Sequence, residues 1–385
     1  MVLESSFSRT ASLARIPSLD GLRALSIFLV MALHTLQRFD VDHTASPIWY
    51  GIFSGDTGVF IFFVISGYLI TRLLLNEHQK RGSISLRGFY LRRAMRILPP
   101  LYVYVAVLLI LGWAGRLVID KLDIISALFF FHNYASRSMW MLEHFWSLSI
   151  EEQFYLIWPC ILLYCLRRPG LPGRLIASRI ALAVVVLSPI IRIVSFRMHN
   201  PYIRDGYGFH MRADSLMFGC VLALLEGTPL FERIYHFATK IWWMPPAVII
   251  LSSYLSARFQ NYWKLPLGYT LSGIAIAFFL LWCVRNPASV VGRLLNARLI
   301  AHIGVLSYSM YLWQTLFIHD GNASIFGPHL KLMTIFPFNW LAIFVVAELS
   351  YHLVEQPSLR LRNYLISIFH LYITGRKPRQ MVQNA

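Results

Sequence analysis

The chain has 385 residues, of which 57% are hydrophobic and 14% charged, and its mean hydropathy is +0.57. This composition excludes an ordinary soluble domain and predicts an integral membrane protein. The net charge of +17 could indicate a nucleic-acid partner, but the basic residues concentrate in alternate connections between apolar runs, and we expect no such partner. The four cysteines lie inside apolar runs without a metal-binding spacing, so no metal site is expected.

Ten apolar runs reach or approach the ~17–25 residues that a helix needs to cross a bilayer. They lie at about residues 20–37, 58–75, 98–115, 146–166, 176–194, 212–226, 242–257, 268–284, 299–318 and 334–354. The sequence therefore predicts an all-α integral membrane protein, a bundle of about ten transmembrane helices. Ten crossings put both termini on the same side of the membrane. Lysine and arginine concentrate in the segments on that side, so both termini are predicted to be cytoplasmic.

The predicted organisation has three parts. Residues 1–17 form a polar cytoplasmic segment without the apolar stretch of a signal peptide. Residues 18–360 form the membrane domain, and residues 361–385 form a basic cytoplasmic tail. No appended soluble domain is expected.

The first apolar run carries an acid, a guanidinium and an imidazole, at Asp20, Arg23 and His34. Arg23 and His34 are eleven residues apart, almost three helical turns, so both lie on one stripe about 16 Å apart along the axis. Asp20 falls near the same stripe, three residues before Arg23. Because ionisable groups inside an apolar span are costly, the stripe predicts a functional site that faces a protein interior or a wet cavity.

Ser66 and Gly67 interrupt the second apolar run near its inner end. Small residues more commonly allow close approach between helices, but they also allow a ligand to lie against exposed backbone. The residues themselves leave both interpretations open.

The inner connection before the third run contains Arg92, Arg93 and Arg96 and ends at a proline pair, residues 99–100. Arg93 and Arg96 share one face of a helix, and the proline pair is expected to end that helix just before the third run. Arginine forks bind phosphate groups bidentately. On physical grounds alone, anchoring on anionic lipid is the simpler interpretation.

Glu151 and Glu152 lead into the fourth run on the outer side of the membrane. Adjacent carboxylates point about 100° apart along a helix, so at most one of them is expected to face a given cavity. That one could act as an acid, a base or a hydroxyl-binding group, and the other could cap the helix. Arg212 and Asp214 begin the sixth run in a similar way, where they could form a structural ion pair.

In the last run, Glu348, His352 and Glu355 lie four and three residues apart and are predicted to share one helical face. The sequence contains no G-x-x-x-x-G-K-[ST], G-x-S-x-G or H-E-x-x-H motif. These absences weigh against a nucleotide-driven pump, a soluble-type esterase and a zinc protease.

Taken together and in this order, these segments resemble bacterial acyltransferase family three, integral membrane enzymes that O-acylate extracytoplasmic glycans and some small molecules. The matching pieces are residues 19–24 followed by His34, residues 63–70, Arg93 with Arg96, and residues 146–155, 212–215, 307–313 and 355–357. They extend over about residues 18–360. The chain is similar to the stand-alone members, which lack a fused extracytoplasmic domain. Many relatives have a histidine at the position of Gln314, so no role of that histidine is carried over here.

The resemblance implies a membrane O-acyltransferase of the cell inner membrane. It would transfer an acyl group, an acetyl group by family habit, from cytoplasmic acyl-CoA to a hydroxyl of an extracytoplasmic or membrane-associated glycan such as an exopolysaccharide. Acyl-CoA would be the donor substrate, and no cofactor would be bound permanently. The expected partners are acyl-CoA, the glycan acceptor, the lipid bilayer and a polysaccharide biosynthesis machinery. The acceptor stays open between exopolysaccharide, lipopolysaccharide O-antigen, a lipo-oligosaccharide and a macrolide-type small molecule.

Donor-side roles follow from the same resemblance. Arg93 and Arg96, with Arg92, would hold the phosphates of coenzyme A. The pantetheine arm would then pass Ser66 and Gly67 and follow the first span outward.

His34, in the outer half of the first span, would act as general base on the acceptor hydroxyl or would carry the acyl group as an acyl-histidine. Arg23 would stabilise the donor or orient the stripe together with Asp20. Glu151 and Glu152 are predicted to be catalytic together with His34, Arg23 and Asp20, and one of the two glutamates would line the acceptor side. The residues predicted for the acceptor side or its structural support are Arg212, Asp214, Ser147, Tyr311 and Glu355.

The alternative function is a non-catalytic transporter of a glycan or lipid. Ionisable residues at several depths and broken spans would suit such a protein. The lack of visible internal duplication and the one-sided arginine connection argue against it.

Overall fold

The computed structural model describes residues 16, 18–39, 46–135, 139–168, 172–198, 206–318, 323–362 and 364. Within these residues the regular secondary structure is helical, without a strand. The ten main helices are α1 (Leu19–Phe39), α2 (Gly55–Arg81), α3 (Leu86–Trp113), α4 (Phe145–Arg167), α5 (Gly173–Arg197), α6 (Phe209–Leu225), α7 (Met244–Phe259), α8 (Tyr269–Arg285), α9 (Arg298–Ile318) and α10 (Phe338–Ser350). The predicted terminal segments 1–17 and 361–385 lie almost entirely outside the described residues.

Each predicted apolar run overlaps one of these helices. By length and hydropathy, five helical segments could cross a membrane, and α6 joined to the helix Pro229–Lys240, with a bend of 117°, would be a sixth. The five are Leu19–Phe39, Pro47–Arg81, Leu86–Trp113, Gly173–Arg197 and Asn261–Arg285. The all-helical prediction is confirmed, whereas the count of about ten spans and the cytoplasmic termini stay predictions.

Helices α1 and α2 lie at the centre of the bundle. α1 contacts α2 and α9, and α2 also contacts α4, α6 and α8. In their apolar windows 56% and 67% of the residues are buried inside the protein, against 22% for α5 at the periphery. The polar stripe of the first helix therefore faces protein, as its ionisable residues require.

Side-chain caps and one glycine explain where α2 and α3 begin and end. The Ser54 hydroxyl accepts a hydrogen bond from the Thr57 N–H at 3.3 Å, and the Ser85 hydroxyl accepts one from the Gly88 N–H at 3.2 Å. Between the two helices, Gly82 has a φ of 72°, a left-handed conformation that costs glycine little. The chain thus leaves α2 and enters α3 within a few residues.

Glycines bring the central helices into close contact. A Cβ at Gly67 of α2 would lie 1.9 Å from the Leu216 carbonyl oxygen of α6, and one at Gly304 of α9 would lie 1.8 Å from the Asp20 carbonyl oxygen of α1. Only a residue without a side chain fits such crossings. α2 runs unbroken through Ser66 and Gly67, so the predicted interruption is wrong. Gly67 packs against a helix and lines neither of the two cavities described below.

The proline pair at residues 99–100 does not end a helix, contrary to the prediction. α3 continues through it, so the arginines of the predicted phosphate site lie on a helix and not in a connection. Proline inside a helix removes the hydrogen bond to the carbonyl four residues before it, which here means the carbonyls of Met95 and Arg96. The Tyr308 hydroxyl of α9 donates to the Ile97 carbonyl at 2.8 Å and ties α9 to α3 beside the proline pair.

The predicted common face of Glu348, His352 and Glu355 is also wrong. His352 Nε2 lies 3.3 Å from Glu348 Oε2, but a π-helical turn, Tyr351–Glu355, follows α10. This wider turn shifts the register of the face. Glu355 is therefore buried, where it accepts a hydrogen bond from Ser309, and it lines neither cavity.

Candidate active site

A cavity rich in arginine lies between α1, α2, α3, α4 and α9. We call it the arginine cavity, and its charged lining residues are Arg23, Arg93, Arg96, Glu151 and Glu152. Three guanidinium groups and two carboxylates thus face one space inside a bundle of apolar helices. Such a concentration of charge is costly and points to binding or chemistry.

Arg23 is oriented by the preceding turn of α1. Its Nη1 lies 2.9 Å from Asp20 Oδ1, the pairing that a spacing of three residues allows. Asp20 itself does not line the arginine cavity. The carboxylate therefore supports the guanidinium from behind and leaves it facing the cavity.

Glu151 is held by two hydroxyl groups from different helices. Ser66 of α2 donates a hydrogen bond to its carboxylate, and Tyr155 of α4 donates another at 3.1 Å. The Tyr155 ring in turn carries the Arg93 guanidinium, 4.4 Å from the ring centroid. One connected set of side chains thus joins the predicted donor-binding and catalytic residues.

Both glutamates line the arginine cavity, so the expectation that at most one faces a given cavity is wrong. Their predicted place beside Arg212 and Asp214 is wrong as well. The side chains of adjacent residues on a helix point about 100° apart, and the cavity extends around α4 far enough for both to line it. Glu151 and Glu152 therefore share a space with Arg93.

Arg92 lies outside the arginine cavity, although it was grouped with Arg93 and Arg96. Its Nη2 lies 3.1 Å from Glu77 Oε2 of α2, and its side chain is 31% exposed. One step along a helix turns a side chain by about 100°, which carries Arg92 off the face of its neighbour.

A second cavity lies at the far end of the α1 stripe. We call it the histidine cavity, and its ionisable lining residues among the described part of the chain include His34, Asp56, Glu143, His144 and Lys264. These side chains come from the last turns of α1, the first turn of α2 and the segments before α4 and α8. They meet because all these segments lie at the same end of the bundle.

The His34 ring is enclosed on one side and open to the cavity on the other. Its Nδ1 makes no hydrogen bond with any described residue, and the ring packs edge-on against Trp140 with 5.4 Å between centroids. The buried amide of Gln314 lies next to the imidazole, and neither of its polar atoms makes a hydrogen bond in the described structure. Buried polar atoms without partners are rare in proteins, and here they surround the predicted catalytic group.

Val59 and Tyr311 line both cavities. The Tyr311 hydroxyl lies 2.5 Å from the Ser147 hydroxyl and donates to the His144 carbonyl at 3.2 Å. Tyr311 of α9 is thereby fixed against the start of α4. The two predicted acceptor-side residues Ser147 and Tyr311 thus stand at the boundary between the cavities.

Arg212 is buried and acts on the histidine cavity through Asp56. Its guanidinium lies 3.7 Å from the centroid of the Tyr269 ring and donates to the Gly206 carbonyl at 2.7 Å. Its Nη2 lies 3.5 Å from Asp56 Oδ1, while Lys264 Nζ lies 2.7 Å from Asp56 Oδ2. Two cations therefore fix the orientation of this carboxylate.

Asp214 does not pair with Arg212, so the predicted ion pair is wrong. Its Oδ2 lies 2.7 Å from Arg192 Nη2, and both side chains are fully buried. Arg192 also donates to the Leu265 carbonyl at 2.9 Å and to the Thr270 hydroxyl at 2.6 Å. Residues two apart on a helix face different directions, which separates Asp214 from Arg212. Asp214 lines neither cavity and ties α5, α6 and α8 together.

Sequence reasoning missed Asp56, Glu143, Tyr155, Arg192 and Lys264 as site or supporting residues. Arg192 carried a usable signal, since it is an arginine inside the fifth apolar run, like Arg23 in the first. Glu143 and Lys264 lie in connections, where polar residues are ordinary, and nothing in the sequence marked them.

The site joins two kinds of chemistry. The arginine cavity offers guanidinium groups suited to phosphate, and the histidine cavity offers an imidazole beside carboxylates, suited to proton transfer. A ligand with an anionic end and a reactive end would match both. Among the described residues, no group of three or more His, Cys, Asp or Glu side chains is placed to hold a metal ion.

Known proteins resemble this chain over most of its length. The acyltransferase domain family matches residues 16–349. The peptidoglycan O-acetyltransferase OatA of Listeria monocytogenes is 30% identical over 368 residues, 89% of this chain and 55% of that protein. The putative peptidoglycan O-acetyltransferase YrhL of Bacillus subtilis is 31% identical over 367 residues, 89% and 54%. A putative O-acetyltransferase of Staphylococcus aureus is 28% identical over 373 residues, 91% and 58%.

The chain spans about half the length of the curated relatives it matches. No solved structure matches it significantly.

Proposed function

This chain belongs to acyltransferase family 3, and we propose that it is a membrane enzyme that transfers an acetyl group from cytoplasmic acyl-CoA to a hydroxyl of a glycan. The glycan is extracytoplasmic or associated with the membrane. The proposal includes about ten spans in the cell inner membrane with both termini cytoplasmic. The distribution of lysine and arginine supports this topology.

The arginine cavity supports acyl-CoA as the donor. Coenzyme A carries its phosphates at one end and its thioester at the other. Arg93 and Arg96 can bind phosphate oxygens bidentately, and Arg23, on the helix that carries His34, lines the same cavity. The donor would therefore enter with its thioester end leading toward the second cavity.

The observation that carries the proposal is the joint lining of both cavities by Val59 and Tyr311. Arg23 and His34 are eleven residues apart on α1, about 16 Å along its axis, so the same helix reaches both cavities. An extended pantetheine arm that passes between Val59 and Tyr311 would bring the thioester beside His34.

His34 handles the proton of the reaction. The acceptor oxygen attacks the thioester carbon while the imidazole takes the hydroxyl proton; the C–S bond then breaks, and coenzyme A leaves as the thiol with that proton. In the acyl-histidine version, an imidazole nitrogen attacks the thioester carbon, the C–S bond breaks, and the proton of the other ring nitrogen goes to the sulfur, so that coenzyme A leaves as the thiol. The acceptor oxygen then attacks the acyl carbon, the N–C bond breaks, and the hydroxyl proton returns to the imidazole. Both versions require the donor and the acceptor to reach His34.

A glycan acceptor is supported by the names of the relatives, two of which are described as peptidoglycan O-acetyltransferases. Exopolysaccharide and peptidoglycan share the chemistry that the reaction needs, a sugar hydroxyl. We therefore assign the acceptor by that chemistry.

The test uses the full chain in lipid nanodiscs with acetyl-CoA labelled in the acetyl group. Thiol release and label transfer to isolated surface glycan are measured for the wild type, His34→Ala and the control His236→Ala, which changes an exposed histidine outside both cavities. Loss of a general acid–base group should lower kcat about 10²- to 10⁴-fold for His34→Ala, and the control should keep the wild-type rate.

A further reaction is run without acceptor and quenched without acid. Label that stays on the protein supports the acyl-histidine version, and an unlabelled protein supports the general-base version. A His34→Ala protein that acylates at the wild-type rate contradicts both. Binding of acetyl-CoA without thiol release by the wild type would favour the transporter.

A further inference from the structure

An open groove continues from the histidine cavity at the end of the bundle where α1 ends and α2 begins. The two spaces share Leu33, Gln37, Gly55, Asp56 and Lys264 as lining residues. The groove therefore borders the cavity that His34 lines. We call it the polar groove.

The walls of the polar groove are tied together by packing and hydrogen bonds. One wall is the short helix Pro47–Ile52, which lies on α7 so closely that a Cβ at Gly51 would be 2.9 Å from Tyr254 Cα. The Thr57 hydroxyl of α2 lies 2.9 Å from the Ser253 hydroxyl of α7. The groove is thus largely formed before any ligand binds, which lowers the entropic cost of binding.

The chemistry of the polar groove favours an uncharged ligand with many hydroxyl groups. Amide and hydroxyl side chains line it, among them Gln37, Ser256 and Gln260. Each can donate or accept a hydrogen bond, as sugar hydroxyls do. The charged lining residues among those described are Asp56 and Lys264, which lie 2.7 Å apart. Arg212 also pairs with Asp56, but its side chain is fully buried and does not line the groove, so the lining itself presents one acid and one base to an anionic chain.

Ser256 is available to a ligand as an acceptor. Its hydroxyl donates to the Ser252 carbonyl at 2.8 Å, so its oxygen lone pairs can receive a hydrogen bond from the groove. Asp56 is similarly prepared, because Arg212 and Lys264 orient its carboxylate while 30% of that side chain stays exposed.

Gln260 holds a backbone conformation that rarely suits a residue with a side chain. Its φ is 48° and its ψ is −133°, whereas glycine adopts such angles at little cost. Non-glycine residues in sparsely populated regions cluster at ligand-binding positions, where the side chain is needed. Gln260 lines the polar groove, at the end of α7.

We propose that the polar groove binds an uncharged segment of the acceptor glycan and directs one of its hydroxyls to His34. This inference rests on the proposed function, since it names the substrate class of the same site. A free oligosaccharide and the sugar part of a lipid-linked glycan present the same chemistry to the groove.

Binding is measured on the full chain in nanodiscs, so that no sugar-based detergent competes. The probes are maltohexaose and chitohexaose, both uncharged, a neutral glycolipid in the nanodisc, and hexagalacturonate as the anionic counterpart. We expect a neutral probe to bind and hexagalacturonate to bind at least tenfold more weakly. Tighter binding of the glycolipid than of the free sugars would identify a lipid-linked glycan as the ligand.

Two variants test whether the groove is the site. Gln260→Gly removes a ligand contact while relieving the backbone, so the fold should be kept, and Ser256→Ala removes one acceptor. Each should weaken binding of the neutral probe about 2- to 10-fold, the effect of one hydrogen bond. Ser178→Ala is the matched control, because Ser178 makes the same bond to the fourth preceding carbonyl, Arg174, at 2.9 Å and lies outside the groove.

The proposal is overturned if no neutral probe binds, if hexagalacturonate binds as well as they do, or if both groove variants bind like Ser178→Ala. Thioester cleavage by the wild type is followed in parallel. If sugar binding depends on the groove but the wild type releases no thiol, the proposed function is contradicted and the proposal for the groove stands. If the groove variants transfer acetyl groups to glycan with the same KM for the acceptor as the wild type, only the proposal for the groove is contradicted.

Discussion

Val59 of α2 and Tyr311 of α9 stand where the arginine cavity and the histidine cavity meet, and each lines both. Tyr311 is held there by Ser147 and the His144 carbonyl, so Val59 is the partner whose size can be changed with least disturbance. In the proposed mechanism the donor passes between these two side chains to reach His34, and we call this route the passage.

Val59→Trp should close the passage. The larger ring would keep the thioester away from His34, and a displacement of about 1 Å at a reacting centre can cost roughly 10²-fold in rate. We expect kcat to fall by that order while the Kd for acetyl-CoA changes little. Val59→Ala is the control and should keep most of the activity. Equal rates for both variants would contradict a donor path between Val59 and Tyr311.

Arg93→Ala and Arg96→Ala should weaken donor binding. Each removes charge-assisted hydrogen bonds to phosphate, of about 1.5–3 kcal/mol, so the KM for acetyl-CoA should rise roughly 10- to 100-fold. Arg92→Ala is the control, because Arg92 pairs with Glu77 outside the cavity and should not touch the donor. Steady-state kinetics with varied acetyl-CoA measures the difference. An equal rise in the control would point to general surface attraction.

Gln314→Leu should separate stability from activity. It removes a buried amide without hydrogen-bond partners in the described structure, so the protein should unfold at a higher temperature, a gain of about 1–3 kcal/mol. The amide lies next to His34, where it can orient the ring and stabilise the imidazolium. The variant could not form the hydrogen bond that the amide would make with the imidazolium during the reaction, and a missing bond to a charged group should lower kcat about 10- to 100-fold. A variant with higher stability and unchanged kcat would show that Gln314 has no part in the reaction.

Arg192→Met should destabilise the fold without a specific effect on either substrate. It leaves Asp214 as an unpaired buried carboxylate, and breaking a buried pair from one side costs about 3–5 kcal/mol. Thermal unfolding in nanodiscs measures the loss. The double change Arg192→Met/Asp214→Leu should recover much of it, since no charge is left buried. A variant with normal stability and an altered KM for acceptor would place this pair in the site after all.

Sequence periodicity determined what lies along one helix. The membrane class, the ten helical segments and the stripe of Asp20, Arg23 and His34 follow from hydropathy and from 3.6 residues per turn. The Asp20–Arg23 contact is local, and the structure contains it at 2.9 Å. The order of the motifs also identified the family, which the match over residues 16–349 confirms.

Tertiary structure decided which helices share a cavity. Arg212 pairs with Asp56 and Asp214 with Arg192, and both glutamates of α4 join the arginines of α3. Such pairings depend on where helices cross, and glycines such as Gly67 set the crossings through contacts with residues far away in the chain. Local periodicity contains no information about these distant partners. Arg23 and His34 on one stripe were visible in the sequence, whereas the meeting of the two cavities at Val59 and Tyr311 exists only in the folded bundle.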